Sequence, residues 1–272
     1  MSSAPPEVYA APFDAIADRY DDVFTGSIIG RAQRASVWNE LEKAFHSGDR
    51  ILEMGCGTGV DACFLAERGV TVVACDSSSR MTEMAVHRVR EAGKESFVQV
   101  QALAAEEISK LRSDSLFDGA FSNFGALNCV EDLGTLARNL GKLLRPGATA
   151  LLCLMGPCCL WEVIWYLGQG NPRNAFRRLH RGGVTARLAD GASVHVKYPS
   201  LRFLARTFAP EFRLKSLKGV GVSVPPSYLE RWANRFPRLF SLSAQADAIL
   251  GYCPGVRVLA DHLLVRFIRE NL

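Results

Sequence analysis

Between Arg50 and Leu154, short apolar runs rich in β-branched residues alternate with segments whose apolar residues recur at helical spacing. Such runs are typical of strands that are buried on both faces of a parallel sheet. The predicted strands are Arg50–Met54, Val70–Cys75, Ser96–Val100, Phe117–Ser122 and Ala148–Met155. The predicted helices between them are Val60–Arg68, Arg80–Ala92 and Leu133–Leu144. Because right-handed crossovers bring the carboxyl ends of the strands to one edge, we expect a ligand there.

The flanking sequence predicts further elements around this core, which we place at residues 47–157. Residues 1–12 are expected to be a mobile leader, followed by cap helices at Phe13–Phe24 and Arg31–Phe45 within residues 13–46. Later helices are predicted at Leu160–Gly168, Leu201–Phe208 and Tyr228–Leu250, the last with a break at Pro237, and a hairpin at Thr185–Tyr198 around Ala189-Asp190-Gly191. Two closing strands are predicted within residues 212–224 and 261–270.

Together these elements predict an α/β domain over residues 13–272. Its seven-stranded, mostly parallel sheet carries helices on both faces. The segments 158–200 and 225–260 are expected to form an inserted lid of helices and a hairpin.

Composition excludes several classes of protein. The 272 residues are 48% hydrophobic and 22% charged, and the net charge of +4 gives no global footprint for nucleic acid. Met1–Pro12 lacks the pattern of a signal peptide, and the apolar stretch Ala150–Trp161 is too short to span a bilayer. We therefore expect a cytoplasmic protein.

The eight cysteines are interpreted as reduced thiols, because no CxxC pair is present. Cys153, Cys158 and Cys159 lie close together in sequence, but their spacing is wrong for a zinc site. A thiol relay or arsenite chemistry at Cys158-Cys159 is disfavoured for the same reason. No metal site is predicted.

The most informative motif is Glu53-Met54-Gly55-Cys56-Gly57-Thr58-Gly59, which ends the first strand and opens a helix. Alternate glycines allow the backbone to approach a ligand and leave helix N-terminal amides free. A dinucleotide fingerprint would need glycine where Val60 stands, and a P-loop would need Gly-Lys-Ser/Thr. Glu53 favours a ligand with positive charge. Asp76, after the second strand, is placed to accept hydrogen bonds from ribose hydroxyls.

With these features the chain resembles the class I S-adenosylmethionine-dependent methyltransferases, in particular the small-molecule branch that includes quinone-biosynthesis enzymes. The resemblance rests on Glu53–Gly59, Asp76, Phe117–Asn128 and Leu143–Ala148, in that order, and covers about Phe13 to Met155 plus the last two strands. It implies a Rossmann-like fold with S-adenosylmethionine as cofactor and S-adenosylhomocysteine as product.

The resemblance also implies a set of cofactor-binding residues. These are Tyr20, Glu53, Gly55, Cys56, Gly57, Thr58, Gly59, Asp76, Ser77, Met81, Ala105, Glu106, Asn123 and Phe124. In it, Glu53 lies near the ammonium and Asp76 holds the ribose. Tyr20 is expected to close over the cofactor as a lid residue. Ala104 stands where many relatives carry an adenine-binding Asp, so the backbone of Ala105 and the Glu106 side chain are expected to supply those contacts.

Methyl transfer from a sulfonium needs no metal, because the rate can come from positioning in a water-poor pocket. The predicted catalytic residues are Tyr20, Asn128, Tyr166 and His180, with Asn128 facing the acceptor. His195 lies on a predicted strand, and a structural role is favoured for it over proton transfer.

A basic cluster of Arg173, Arg177, Arg178 and Arg181 follows the aromatic segment Leu160–Leu167. Three interpretations stay open at this point. The cluster is a solvated helical face, a clamp for an anionic acceptor, or part of a membrane-contacting patch over residues 160–181.

The sequence thus predicts an enzyme that transfers a methyl group to O, N or C of a small, apolar or aromatic acceptor. One alternative is an RNA or protein methyltransferase, although Ser122-Asn123-Phe124-Gly125 differs from the Asn-Pro-Pro-Tyr type of motif and no nucleic acid is expected. A second is a non-catalytic cofactor-binding protein, because a fold does not fix a function. NAD-dependent oxidoreduction is disfavoured by Glu53 and Val60. The identity of the acceptor and the oligomeric state stay open.

Overall fold

A computed structural model describes residues 11–112, 115–188 and 191–271. The sheet strands are β1 Arg50–Met54, β2 Thr71–Asp76, β3 Val98–Ala102, β4 Phe117–Ser122, β5 Leu144–Met155, β8 Phe212–Val220 and β9 His262–Arg269. They form one seven-stranded sheet in the order β3-β2-β1-β4-β5-β9-β8. β1 to β5 pair in parallel, whereas β9 lies antiparallel between β5 and β8. The predicted mostly parallel α/β fold is confirmed.

Helices connect the strands and surround the sheet. They are α1 Ala17–Tyr20, α2 Ile28–Ala44, α3 Val60–Ala66, α4 Ser79–Glu91, α5 Leu133–Leu143, α6 Leu160–Gly168, α7 Pro172–Ala175, α8 Leu201–Phe208, α9 Glu230–Arg235 and α10 Pro237–Leu250. Side chains before several of them accept hydrogen bonds from the first turn, as Ser78 does from the Met81 amide and Asp132 from the Gly134 amide. Such N-caps fix where these helices begin. A separate hairpin pairs β6 Val184–Arg187 with β7 Ser193–Val196.

The core has two apolar layers, one on each face of the sheet. In β1, Leu52 and Met54 belong to the layer that contains α5 and α8, while Ile51 belongs to the layer that contains α2, α3 and α4. This alternation follows from the two-residue period of a strand. A third, smaller cluster joins α2 to the segment with α9 and α10 through Ile29, Leu229 and Phe240.

Several element boundaries differ from the sequence prediction by one to three residues, and three differences are larger or change the type of element. Phe13–Phe24 is not one helix but a 3₁₀ turn at Pro12–Ile16, then α1, then a π-helical turn at Asp21–Thr25. Its first turn is held by the Asp14 side chain, which accepts a hydrogen bond from the Ala11 amide at 3.0 Å.

The other two differences concern strand ends. β5 begins at Leu144 rather than Ala148, because Leu144 already pairs with Phe117 before a register shift. β8 ends at Val220 rather than Val224, since Gly221 has a φ of +78° and an added Cβ would lie 2.8 Å from Gln33. The predicted turn at Ala189-Asp190 and most of the leader lie outside the described residues.

Candidate functional site

The glycine turn after β1 forms the floor of a cleft at the carboxyl edge of the sheet. Gly55, Gly57 and Gly59 have φ angles of 73°, 51° and 78°. A Cβ on Gly55 would lie 2.2 Å from the Cβ of Ala126, so a side chain is excluded there. At Gly57 an added Cβ would meet no described atom within 4 Å, because this residue faces open space. The turn therefore presents bare backbone to a ligand.

Asp76 ends β2 beside this turn. Its carboxylate accepts hydrogen bonds from the backbone amides of Gly57 at 2.8 Å and of Ser78 at 2.9 Å. Burial raises the pKa of Asp76 despite these donors. Met81 is buried on α4 behind it, whereas Ser77 is exposed. Asp76 therefore lies against the glycine turn, and its role as a ribose acceptor stays a prediction.

Glu53 lies on β1, two residues before the glycine turn, and is only 1% exposed. Its Oε2 atom has no hydrogen-bond partner in the part of the chain that the structure describes. Burial, followed by the nearby carboxylates of Asp61 and Asp76, raises the pKa of Glu53 well above its ordinary value. A buried carboxylate without a donor is costly unless a cationic or donor group is supplied.

A network that the sequence analysis did not identify forms one wall of the same cleft. Asp61 in α3 is 4% exposed and accepts hydrogen bonds from three side chains. The donors are Trp38 Nε1 at 2.7 Å, Arg34 Nη1 at 2.7 Å and Asn123 Nδ2 at 2.8 Å. The Arg34 guanidinium lies 4.9 Å from the centre of the Phe124 ring, and its Nε atom has no hydrogen-bond partner among the described residues. Arg34 therefore gives the cleft a positive charge, and its Nε–H remains available to donate a hydrogen bond.

The cleft is a small cavity at the turn. Its lining residues are Tyr20, Arg34, Gly55, Cys56, Gly57, Thr58, Val60, Asp61, Asn123 and Phe124. Seven of the predicted cofactor residues belong to this lining, whereas Glu53, Gly59, Asp76, Ser77 and Met81 do not. Ala105 and Glu106 lie at the start of a 3₁₀ helix after β3 and do not belong to this lining.

Tyr20 closes the cleft from the N-terminal side. The next residue, Asp21, accepts a hydrogen bond from Thr58 Oγ1 at 2.8 Å and pairs with Arg88. Burial raises the pKa of Tyr20 to about 12, so it remains a neutral phenol at neutral pH. Tyr20 lines the cleft, and its predicted role as a lid residue over the cofactor stays a prediction.

A larger cavity of about 470 Å³, here called the chamber, lies on the other side of Tyr20 and Phe124. Its lining residues are Ile16, Arg19, Tyr20, Val23, Phe24, Gln33, Phe124, Met155, Glu162, Arg177, Arg178, Pro226, Ser227, Tyr228, Asp261 and His262. Tyr20 and Phe124 line both spaces, so the chamber and the cleft meet at these two rings. Phe124 has a φ of 44°, a strained value for a non-glycine residue that is typical of functional sites.

One wall of the chamber is a buried ionic network. Arg178 is 5% exposed and contacts Glu162 at 2.8 Å and Asp261 at 2.6 Å. Arg177 also contacts Glu162, at 2.7 Å. The basic cluster is therefore not one solvated face, since Arg177 and Arg178 turn inward while Arg173 and Arg181 stay exposed.

His262 at the start of β9 was also missed by sequence analysis. It is 6% exposed, lines the chamber, and lies edge-to-face with Phe124 at 5.6 Å between ring centres. Its Nδ1 atom is 3.4 Å from Asp261 Oδ2. The sequence shows His262 only as one residue of a predicted apolar closing strand, and this pattern does not indicate a functional site.

The predicted catalytic residues other than Tyr20 are not part of the chamber lining. The Asn128 amide donates to the Met155 and Lys197 carbonyls, and its oxygen accepts from the Met155 amide at 2.9 Å. Asn128 thus joins β5 to the segment after β7 instead of facing the chamber. Tyr166 packs against Tyr228 at 6.1 Å between ring centres, and His180 is exposed. His195 lies 2.6 Å from the Gly182 carbonyl, a contact within the hairpin region.

Two further findings concern metals and membranes. Among the described residues, no three His, Cys, Asp or Glu side chains are grouped closely enough to hold a metal ion. Within that same part of the chain, every helix is too short or too polar to cross a bilayer.

Comparison with known proteins adds to this geometry. Residues 51–147 match a protein-family description of a methyltransferase domain. The central part of the chain is a methyltransferase domain. The resemblance inferred from the sequence is therefore confirmed, and the matched residues include the glycine turn, Asp76 and Asn123.

Individual proteins are also similar to this methyltransferase domain. A demethylmenaquinone methyltransferase of Clavibacter sepedonicus is 33% identical over 153 residues, which cover 56% of this chain and 60% of that protein. A tRNA 5-carboxymethoxyuridine methyltransferase of Escherichia coli strain K12 is 27% identical over 144 residues, which cover 52% of this chain and 54% of that protein. The chain spans about 60% of the length of the first of these relatives and little more than half of the second.

A solved structure extends the similarity in fold beyond the matched domain. The CcbJ methyltransferase from Streptomyces caelestis superimposes with a TM-score of 0.63 at 16% identity, covering 96% of this chain and 99% of that one. At this identity the match concerns the fold alone, and it includes the segments after β5.

Proposed function

We propose that the chain binds S-adenosylmethionine in the cleft and transfers its methyl group to a small acceptor in the chamber. The observation that carries the proposal is the buried Glu53 carboxyl group, whose Oε2 has no hydrogen-bond partner among the described residues, shortly before the bare backbone of Gly57. A ligand with an ammonium satisfies this carboxylate, whereas a pyrophosphate would be repelled by it. The methyltransferase match over residues 51–147 supports the same assignment.

Each part of the proposed ligand has a candidate partner in the cleft or in the strands next to it. Glu53 would accept from the ammonium, and Arg34, whose Nε lacks a partner among the described residues, would donate to the carboxylate of the methionine part. Asp76 would accept hydrogen bonds from the ribose hydroxyls. When bound, S-adenosylmethionine supplies an electrophilic methyl group on a sulfonium.

The chamber supports a small, apolar or aromatic acceptor. Its volume of about 470 Å³ is typical of small-molecule pockets, and aromatic rings contribute much of its wall. Tyr20 and Phe124 would hold the acceptor beside the methyl group and exclude water, which favours in-line displacement. The name of the Clavibacter relative, a demethylmenaquinone methyltransferase, is consistent with an aromatic acceptor.

Titration calorimetry with S-adenosylhomocysteine, S-adenosylmethionine and NAD⁺ tests the cofactor. We expect binding of the first two and none of NAD⁺. Turnover would be followed as S-adenosylhomocysteine release in the presence of hydroxylated naphthoquinones and catechols. Absence of binding to both sulfur nucleosides at millimolar concentration would end the proposal.

Two alternatives have distinct outcomes in these assays. The similarity to a tRNA methyltransferase makes RNA an alternative acceptor. Retention of the protein on heparin that disappears at moderate salt would favour this alternative. Cofactor binding without product release from small molecules, peptides or RNA would favour a non-catalytic protein.

We also propose that residues 160–181 contact anionic membranes. On α6, the side chains of Ile164, Trp165 and Leu167 are 58%, 42% and 46% exposed, and the exposed Arg173 and Arg181 follow nearby. Apolar side chains flanked by cations favour an acidic lipid surface.

Flotation with vesicles tests this contact. We expect binding to vesicles of phosphatidylglycerol with phosphatidylcholine and little binding to phosphatidylcholine alone. The variant I164S/L167S should lose binding, whereas L116S, an exposed residue before β4, should retain it. Equal binding of all three proteins would contradict the proposal.

A further inference from the structure

His262 and Asp261 form a buried pair at the point where β9 enters the sheet, one aromatic ring away from the cofactor cleft. We propose that His262 is the general base that takes a proton from the acceptor, with Asp261 as the residue that positions it. The inference rests on the proposed function and narrows its acceptor to a molecule with an ionisable O–H or N–H group.

The geometry leaves one imidazole nitrogen for the acceptor. Nδ1 lies 3.4 Å from Asp261 Oδ2, close enough for a charge interaction, but it forms no hydrogen bond to any described residue. Nε2 forms no hydrogen bond within the part of the chain that the structure describes, and the residue lines the chamber. If Nδ1 carries the proton toward Asp261, the lone pair of Nε2 is free to accept from a ligand in the chamber.

Asp261 is held in place by two other elements. Arg178 Nη2 donates to Asp261 Oδ1 at 2.6 Å, and the Gln33 side chain of α2 donates to Oδ2 at 3.3 Å. Burial opposes ionisation of Asp261, but the charge and hydrogen bond of Arg178, with the hydrogen bond from Gln33, keep its pKa below the ordinary value. A fixed carboxylate at this distance stabilises the protonated form of the imidazole, and a small rotation of the ring would allow the hydrogen bond that orients it.

The groups that face His262 determine its charge. These are Asp261, Arg178 and, on α6, Glu162. The neighbouring strands pair it with Met155 and Val220, which carry no charge. Burial lowers the pKa of His262 below the ordinary value despite Asp261, so the neutral imidazole is the form present at neutral pH. That is the form a base requires.

The proposed step transfers one proton to His262 and one methyl group to the acceptor. The acceptor O–H proton passes to Nε2 of His262 while its oxygen forms a bond to the methyl carbon. The bond between that carbon and sulfur breaks, and its electron pair stays on sulfur, which gives a neutral thioether. The imidazolium beside Asp261 then releases its proton to water when the products leave.

His262 differs from His180 and His195 in its position relative to the chamber. His180 is exposed and His195 is engaged with the Gly182 carbonyl, and neither lines the chamber. His262 is also next to Phe124, the ring shared by chamber and cleft. An acceptor in the chamber beside these two rings would therefore lie near both the cleft and the proposed base.

The first test needs no acceptor. Long-range ¹H–¹⁵N correlation spectra of the complex with S-adenosylhomocysteine would report the His262 tautomer, assigned by comparison with H262Q. We expect a neutral ring protonated at Nδ1 and unprotonated at Nε2 from pH 6.5 to 8. A proton on Nε2 in this range would overturn the proposal.

The second test uses turnover. With catechol, H262Q should lower kcat by about 100-fold or more, the size typical of general-base catalysis. With 4-nitrocatechol, which is already ionised near neutral pH, the loss should shrink to less than about 10-fold because no base is needed. H87Q, which changes an exposed histidine on α4, should behave like the unchanged protein with both acceptors.

Separate readouts distinguish the two levels of the proposal. If S-adenosylhomocysteine fails to bind, the proposed function fails. If it binds equally to H262Q but the loss in kcat is the same for both catechols, the base assignment fails alone. If neither catechol is methylated, the Nδ1–H tautomer supports the assignment and the Nε2–H tautomer overturns it.

Discussion

Glu53 couples cofactor binding to the release of a proton. Its raised pKa means that the free protein holds this carboxyl partly protonated well above the ordinary range for glutamate. A cationic ligand favours the ionised form, so binding lowers the pKa and expels a proton. We therefore expect affinity for S-adenosylmethionine to rise with pH until Glu53 is ionised in the free protein.

Calorimetry in buffers of different ionisation enthalpy measures this proton. E53Q should abolish the release and weaken binding by about 10- to 100-fold, the value of a hydrogen bond to a charged group. E95Q, at an exposed glutamate, should leave both unchanged. Identical proton release by E53Q and the unchanged protein would refute the coupling.

For individual residues, the sequence predicts only those members of the site that lie close together in the chain. Glu53, the alternate glycines and Asp76 fall within a short stretch of one βαβ unit, so their spacing alone brings them together. Arg34 and His262 reach the site from α2 and β9, far away in the chain, and depend on tertiary packing that no spacing indicates. Asn128 lies at the carboxyl edge of the sheet, as a residue facing the acceptor would. Its side-chain amide donates to the Met155 and Lys197 carbonyls instead, so its polarity reflects a structural contact.

Among the elements, α2 depends on α3 for its position. Trp38 stacks on Phe64 with 4.0 Å between ring centres, and Asp61 accepts from both Trp38 and Arg34. Asp61 is thus the only carboxylate among the described residues that pairs with the buried Arg34 side chain. Loss of one partner from a buried ion pair is strongly destabilising.

D61N should lower the free energy of unfolding by about 3 kcal/mol, because the Arg34 charge would remain buried without compensation. W38F should cost less, about 1 to 2 kcal/mol, since it removes one hydrogen bond and keeps an aromatic ring. Urea denaturation of the ligand-free protein measures both. A smaller effect for D61N than for W38F would contradict this ranking.

The sequence predicts the ends of a helix correctly where the spacing of its apolar residues alone determines them. Leu160–Gly168 and Leu201–Phe208 begin and end as the apolar spacing predicts. The sequence predicts one helix over Phe13–Phe24, but the structure changes there from 3₁₀ to α to π. The side chains of Asp14 and Asp21 accept hydrogen bonds from the distant residues Ser78 and Thr58. Tertiary hydrogen bonds here override helical periodicity.

For the whole molecule, ligand binding should raise thermal stability. At 100 times its Kd, a ligand that binds only the folded state adds about 2.7 kcal/mol. For a domain of this size we expect S-adenosylhomocysteine to raise Tm by about 5 to 10 °C. Scanning calorimetry measures the shift; NAD⁺ should produce none, and a shift of similar size with NAD⁺ would argue against the assigned ligand.

The antiparallel insertion of β9 between β5 and β8 has a consequence for the order in which the protein is assembled during translation. β8 is synthesised before β9 but cannot join the sheet until β9 has paired with β5. A ribosome-bound nascent chain can therefore complete the glycine turn and its neighbouring strands early. The chamber wall containing His262 forms only when the polypeptide after residue 262 has left the exit tunnel.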